Sequence, residues 1–264
     1  KRHFEEVNFS LKIEKNLFKE MSSFAGWSLW GNLAGVLSTQ GVNMLLNMFF
    51  GPAVNAARGI AVQVQGVIQG FVANVQTAVN PQITKSYAQG NLPRMHKLMF
   101  ASSKFCFYLL FLIVLPLSFE AHSVLVVWLG IVPDHTVWFL RLILFIMLID
   151  TLGNPYIIAN QATGKVKVYQ ATVGGIILLI VPVSYVVLKL GANPEGVYIV
   201  HGCVALTAQY ARVHMMQKLI KLPISVYLKK VISPIVAVVV TSGIIPFLIY
   251  TNIYEGLFRF VVLC

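Results

Sequence analysis

The sequence has little charge and few acidic residues. Only 11% of its 264 residues are charged and 57% are hydrophobic, whereas ordinary soluble domains contain about 25% charged residues. A soluble chain of this length needs more polar surface to cover its core. The shortage of charge therefore excludes a soluble domain, a disordered chain and a coiled coil, and it predicts an integral membrane protein.

Cysteine is also scarce. Cys106 and Cys203 lie within apolar runs and Cys264 is the last residue, so they form neither a metal-site spacing nor a disulfide framework. The histidines in loops and spans show no ligand spacing. No glycine-rich phosphate loop, Ser-His-Asp set or paired carboxylates can be identified. The sequence thus predicts no enzyme, no catalytic residues, no metal site and no resident cofactor.

Long apolar runs take the place of charge. A helix that crosses about 30 Å of hydrocarbon needs about 20 residues. Runs of this length lie near residues 24–50, 57–80, 98–118, 136–158, 168–189, 196–217 and 231–250, and a further run begins near residue 256. They are too long for barrel strands and do not alternate. The predicted fold class is therefore all-α, a polytopic transmembrane helix bundle.

These runs divide the chain into three predicted parts. Residues 1–23 form a cytoplasmic connecting segment, with an amphipathic helix at 11–22 on the membrane surface. Residues 24–220 form a six-helix membrane lobe, and residues 221–264 add accessory transmembrane helices. The chain begins at Lys1 and ends within an apolar run, from which we expect it to be a piece of a longer protein.

The positive charge is unevenly distributed between the two sides of the predicted membrane. The chain carries 20 lysines and arginines against 9 acidic residues, and most of these cations lie in segments on the side of residue 1. The other side has only Arg58, Lys189 and Arg259, with Arg141 inside a span. The positive-inside rule then predicts a cytoplasmic residue 1. Because the basic segments lie between apolar runs, they predict contact with anionic lipid and not with nucleic acid.

Polar side chains at membrane depth are costly, so their positions bear on function. On the second span, five of them fall within about 60° of one another at 100° per residue; they are Arg58, Gln65, Gln69, Gln76 and Asn80. On the first span, Asn32, Thr39 and Asn43 share a narrow face. Hydrogen bonding between tightly packed helices explains one or two amides per helix. A full-length stripe headed by an arginine favours a water-filled, substrate-binding cavity.

The fourth span contains a possible cation site. Asp150 lies within it, and Gly153, Asn154 and Pro155 follow directly. Proline leaves the carbonyl of Thr151 without its helical partner. Asp150, Thr151 and Asn154 together have the chemistry of a Na⁺ or H⁺ coupling site on a broken helix. The alternative is a protonated or paired Asp150 that holds the bundle together.

Several stretches resemble a known family of membrane proteins. The stretch FFGPAVNAARGIAVQVQGVIQGFVANVQTAVNPQITKSYAQGN (Phe49–Asn91) is similar to the polysaccharide and O-antigen flippase branch of the multidrug/oligosaccharidyl-lipid/polysaccharide exporter superfamily. WLGIVP, LIDTLGNPYIIANQATGKVKVYQ and PVSYVVLKLGANPEGVY extend the likeness, which runs from about Phe24 to Tyr227.

The resemblance implies two six-helix lobes around a central cavity that opens alternately to each side of the bacterial cytoplasmic membrane. This chain would be the second lobe, with the first lobe missing. The implied cargo is an undecaprenyl-pyrophosphate-linked oligosaccharide, whose pyrophosphate Arg58 would meet. Asp150 would be the acid that couples transport to a cation gradient.

Three other functions are open: an antiporter, a glycosyltransferase or ligase, and a purely structural membrane subunit. A multidrug/cation antiporter of the same superfamily would have an acid-rich, aromatic pocket, whereas this stripe is rich in amides. A polytopic glycosyltransferase would need a large outer loop with catalytic acids, but Glu120 and Asp134 lie in a loop of about 17 residues.

Overall fold

The computed structural model describes the backbone of residues 14–252 and the side chains of residues 14–244. This part of the chain is almost entirely helical and contains no β-strand. The helices are α1 (Lys15–Ala88), α2 (Leu92–Phe119), α3 (Ala121–Leu129), α4 (Thr136–Thr151), α5 (Asn154–Ala162), α6 (Val166–Leu178), α7 (Ile180–Lys189), α8 (Gly196–Leu219), α9 (Ile224–Tyr227) and α10 (Ser233–Asn252), with a π-helical turn at Leu228–Ile232. The predicted all-α fold is confirmed.

Five stretches of helix are long and apolar enough to cross a membrane. They are Lys15–Ala88, Leu92–Phe119, Thr136–Ala162, Val166–Lys189 and Ile224–Ile244. The first contains two predicted spans. The helix α8 has the length of a span but is more polar than these five, since it contains His201, Gln209 and Arg212. The span predicted from residue 256 lies outside the described residues.

The first two predicted spans meet at a corner of one residue. Gly51 has φ 82° and ψ 179°, a conformation that is essentially restricted to glycine. Pro52 then starts the second helical arm, where its fixed φ fits a first helical turn. Arg58 donates hydrogen bonds back to Asn43 and Thr39, so the two arms of α1 fold against each other. The loop expected between residues 50 and 57 is therefore absent.

The beginning of α1 also differs from its predicted form. A separate surface helix is expected to end near residue 22, but the structure continues as one helix from Lys15 through Phe24. The residues from 15 to 24 contain neither glycine nor proline, so nothing in the backbone interrupts the helix. Leu17, Phe18 and Met21 are exposed on it. Residues 11–13 of the predicted segment lie outside the described part.

Two predicted spans are broken near their middles. The helix α4 ends at Thr151 and α5 begins at Asn154, as the Gly153-Asn154-Pro155 sequence predicts. A second break, at Leu179, separates α6 from α7. Pro182 lies four residues after Leu178 and has no N–H to donate to the Leu178 carbonyl.

The core lies where α1 packs against α2, α4 and α6, with α8 behind α4. Its fully buried side chains include Leu46, Phe139, Leu144, Met147 and Tyr156. At one end of the bundle, His135 and Glu195 join two turns through a 2.6 Å contact between Nδ1 and Oε1. At the other end, α8 stops at Leu219 and Lys221 takes a positive φ of 53°, close to the predicted boundary between the lobe and the accessory helices.

Candidate functional site

Arg58 joins three helical segments. Its Nε donates to the hydroxyl of Tyr198 at 3.0 Å, and its Nη atoms lie 3.5 Å from Asn43 Oδ1 and from the carbonyl oxygen of Thr39. Arg58 is half-buried. All of these partners are neutral, and no carboxylate among residues 14–244 lies within ion-pair distance of Arg58. The guanidinium thus retains an uncompensated charge and can attract an anion.

The helix α8 supplies a second polar stripe, which faces Arg58. Tyr198, His201, Gln209 and Arg212 follow one another at intervals of 3, 8 and 3 residues, so they lie within about 80° on a helix. The Tyr198 ring stacks near the His201 ring at 6.4 Å and packs against Phe139. Tyr198 is buried, whereas His201 is half-buried.

Asp150 lies at the far end of the same polar array. Its carboxylate interacts electrostatically with Arg212 and with His201, and His201 interacts in turn with Arg58. Asp150 is exposed, although Ile146 and Met147 one turn earlier are almost fully buried. The carboxyl group itself is nevertheless largely surrounded by protein atoms, which desolvate it. The structure therefore connects Arg58 to Asp150 through α8, where the sequence suggested two separate sites.

The break between α4 and α5 is held by α8. Gln209 Nε2 donates to the carbonyl oxygen of Leu152 at 3.4 Å and to the hydroxyl of Tyr227 at 3.3 Å. Arg212, only 6% exposed, packs so close to Gly153 that a Cβ there would lie 2.8 Å from Nη1. One orphan carbonyl of the broken helix thus has an amide partner.

The remaining members of the predicted cation site retain unused oxygen atoms. The side-chain oxygens of Thr151 and Asn154 are buried, with no hydrogen-bond partner in the structure. Hydroxyl, amide and carboxylate oxygens are the donors that hard cations prefer, and buried polar atoms require some partner. The break thus carries unpaired oxygen atoms of the kind expected at the predicted cation site. Within the described residues no group of His, Cys, Asp or Glu could hold a transition metal.

The predicted stripe on the second arm is open for only part of its length. Gln69 is exposed, while Arg58, Gln65 and Asn80 are half-buried. Gln76 is only 7% exposed, because it lies on the same helical row as the buried Ile68, Val72 and Ile83. The predicted wet face is therefore interrupted at Gln76, which points to the core.

The stripe on the first arm is more accessible. Asn32 and Thr39 are exposed, and Asn43 is half-buried where it meets Arg58. The hydroxyl of Thr39 bonds to the carbonyl of Gly35 within the helix. On this arm Arg58 contacts Asn43 and Thr39. The amide of Asn32 lies about 10 Å further along the helix, on an exposed face.

The contribution of α8 is absent from the sequence prediction. Arg212 is counted there among the charges of an inner segment, yet the structure buries it beside Gly153. The spacing of Tyr198, His201, Gln209 and Arg212 on one face is a signal that the same periodicity test could have detected. A periodicity test cannot show that this face of α8 contacts Arg58.

Searches against protein-family models, curated proteins and solved structures gave no match to this chain. Its class therefore rests on the fold and the site alone. The chain is an all-helical bundle whose helices are long and apolar enough to span a membrane, with a charged and polar array running across three of its helical segments.

Proposed function

We propose that this chain is part of a transporter that flips an undecaprenyl-pyrophosphate-linked oligosaccharide across the bacterial cytoplasmic membrane. The observation that carries the proposal is Arg58, a half-buried cation with only neutral partners. A pyrophosphate supplies the negative charge that Arg58 lacks, and guanidinium groups bind phosphates through paired hydrogen bonds. The resemblance of Phe49–Asn91 to lipid-linked oligosaccharide flippases points to the same cargo.

The amides around Arg58 suit the sugar part of this cargo. Asn32, Thr39 and Gln69 are exposed near the half-buried Asn43 and Gln65. Sugar hydroxyls exchange hydrogen bonds with water for hydrogen bonds with such side chains at little net cost. The undecaprenyl tail remains in the lipid while the glycan passes through the protein.

Asp150, Thr151 and Asn154 form the proposed coupling site for Na⁺ or H⁺. Asp150 interacts electrostatically with His201, which interacts with Arg58. A cation at Asp150 therefore changes the field at the proposed phosphate site. Coupling requires only that the cation prefers one of the two access states.

A second lobe is part of the proposal, since alternating access needs a partner surface. The helix α1 exposes the polar side chains of Asn32, Thr39 and Gln69. We propose that a preceding lobe of the same protein faces the polar side of α1, with residue 1 on the cytoplasmic side.

The test is the pair Arg58→Ala and Arg58→Lys in the full-length protein in its own cells. We expect Arg58→Ala to abolish surface glycan and to accumulate lipid-linked oligosaccharide, while Arg58→Lys retains part of the export because it keeps the charge. Arg94→Ala, at an exposed turn, is the matched control. Membrane abundance and thermal unfolding in detergent report folding.

If a folded Arg58→Ala variant still produces normal surface glycan, the proposed flippase function is wrong. Asp150, an acid within an apolar helix, favours one alternative, a multidrug/cation antiporter of the same superfamily. That protein would lose drug efflux in Asp150→Asn and would keep it in Arg58→Ala.

A further inference from the structure

A cationic groove lies at the end of the bundle where α1 begins. It has a volume of about 1040 Å³ and runs between the first turns of α1 and the turn that joins α5 to α6. Lys19, Lys165 and Lys167 line it, and Glu20 is the only acid among its lining residues. The rim of the groove therefore carries net positive charge.

The groove becomes apolar further along α1. An adjoining cavity of about 570 Å³ shares Ser23 with it and is lined by Trp27, Trp30 and Ala171. Lys167 Nζ lies over the Trp27 ring at 5.5 Å from its centre, so it stands where the two regions meet. The distance from Lys19 to Trp27 along the helix is about 12 Å at 1.5 Å per residue. Polarity thus changes from cationic to aromatic over the length of a lipid headgroup and its first acyl carbons.

This order of chemistry matches an anionic amphiphile. Lysines attract anionic headgroups electrostatically near a membrane surface, and tryptophan favours the boundary between headgroups and hydrocarbon. The groove opens at the end of a helix that is apolar enough to span a membrane. We propose that it binds an anionic phospholipid, with the phosphate between the three lysines and the first part of one acyl chain against Trp27 and Trp30.

The walls leave room for such a chain. A Cβ built on Gly26 meets no atom within 4 Å, although Gly26 lines the aromatic part of the groove. A larger side chain at this position can therefore fill the groove without displacing its neighbours, which provides a test that leaves every lysine in place. The proposal does not depend on the cargo assigned to Arg58.

The experiment uses the quenching of tryptophan fluorescence by brominated lipids. Trp128 and Trp138 are replaced by phenylalanine, which leaves Trp27 and Trp30 as the reporters among the four tryptophans. The chain is reconstituted in phosphatidylcholine vesicles with a minor fraction of phosphatidylglycerol, and the bromine is placed on the acyl chains of one lipid or the other at equal mole fraction. We expect brominated phosphatidylglycerol to quench several-fold more strongly than brominated phosphatidylcholine.

Two variants test the groove itself. The pair Lys165→Gln and Lys167→Gln is expected to abolish this preference, and so is Gly26→Leu. The matched pair Lys85→Gln and Lys97→Gln removes the same charge from exposed positions outside the groove and is expected to retain it. Circular dichroism and thermal unfolding confirm that each variant is folded.

Three outcomes would overturn the proposal. Equal quenching by the two lipids in the parent protein would mean that the groove has no preference for an anionic lipid. If both lysine pairs lost the preference for phosphatidylglycerol to the same extent, the preference would come from the general surface charge of the protein and not from the groove. If inorganic phosphate removed the preference and chloride at equal ionic strength did not, the lysines at the rim of the groove would bind free phosphate and not a lipid headgroup.

Discussion

Arg58 shows how a single charged residue is accommodated inside an apolar bundle. Desolvating a guanidinium is costly unless polar groups surround it, and here a tyrosine hydroxyl, an amide oxygen and a main-chain carbonyl do so. These groups orient the cation without neutralising it. The 3.0 Å bond that Arg58 donates to Tyr198 is the shortest of the three, which makes Tyr198 the main positioning residue for Arg58.

The residue-scale prediction concerns this hydroxyl. Tyr198→Phe removes the acceptor of Arg58 Nε and keeps the ring that packs on Phe139. We expect export of the proposed cargo to fall several-fold, less than in Arg58→Ala. The free energy of unfolding should fall by less than about 2 kcal/mol, since hydrogen bonds in membrane bundles average about 0.6 kcal/mol.

Tyr210→Phe is the control for that prediction. Tyr210 is an exposed tyrosine on the same helix and stacks near His214, far along α8 from Arg58. Export should be unchanged in this variant. If Tyr198→Phe exports as well as the parent protein, Tyr198 does not position Arg58.

The sequence shows which residues belong to the site more readily than it shows which residues they contact. Arg58, Gln69 and Asp150 are recognisable because ionisable and amide groups are rare in apolar runs. The Arg58 to Tyr198 bond joins residues 140 positions apart, and no local pattern encodes which helical faces meet. The unpaired oxygens of Thr151 and Asn154 follow from a break that the sequence does reveal.

At the scale of elements, the two arms of α1 have three kinds of surface. Gln69 is exposed and polar, Val67 is exposed and apolar, and Gln76 is buried. Gln69 and Val67 are about 200° apart around the helix. The polar side should therefore meet water and the apolar side lipid.

Cysteine accessibility tests this assignment. In a chain whose Cys106, Cys203 and Cys264 are replaced by alanine, we expect Gln69→Cys to react with a water-soluble thiol reagent several-fold faster than Val67→Cys. Gln76→Cys should be protected as well, because its position faces the core. Protection at all three positions would mean that no water reaches this arm, and transport along it would be excluded.

Close contact between α1 and α7 provides a second element-scale prediction. A Cβ on Gly41 would lie 2.5 Å from Val181 Cγ2, and a β-branched side chain has few alternative rotamers. Gly41→Ala should lower the free energy of unfolding by about 1–3 kcal/mol, as overpacking does. Chemical unfolding in detergent measures the change.

Gly35→Ala on the same arm is the matched control. Nothing lies within 4 Å of its added Cβ, and alanine favours a helix over glycine by up to about 1 kcal/mol. We expect it to be neutral or slightly stabilising. Equal stability of both variants would show that α7 yields to the added methyl group.

The elements themselves are the part of the fold that the sequence predicts best. Long apolar runs identify the spans because hydrocarbon thickness sets their length, and Pro155 identifies the break after α4. The corner at Gly51 is missed, since Gly51-Pro52 is equally compatible with a loop. The sequence also does not reveal that the residues from Lys15 to Phe24 form the beginning of α1. Surface polarity does not show whether one helix continues into the next.

At the scale of the whole molecule, composition alone predicts the membrane-protein class, and the five apolar helical stretches agree with it. The connection of Arg58 to Asp150 depends on the whole bundle. It requires α1, α4 and α8 to pack together, and sequence patterns determine each helix but not their arrangement. The electrostatic link between these two residues therefore depends on how the helices are assembled.

The prediction at this scale is that Asp150→Asn uncouples transport from its driving ion. Asparagine removes the charge and keeps the shape, so cargo binding at Arg58 should persist while dependence on an imposed Na⁺ or pH gradient is lost. Export from membrane vesicles of the full-length protein measures this. Asp134→Asn, at an exposed turn, is the control, and unchanged gradient dependence in Asp150→Asn would refute the coupling role.

The corner at Gly51 has a consequence for biosynthesis. Because the two arms of α1 are joined by one glycine, the ribosome delivers them as a helical hairpin with no hydrophilic loop to carry across the bilayer. In the folded structure Arg58, the cation nearest the tip among the described residues, is bonded to the first arm through Asn43. The pair can enter the membrane from the insertion machinery together, as a single preassembled unit on which the later helices pack.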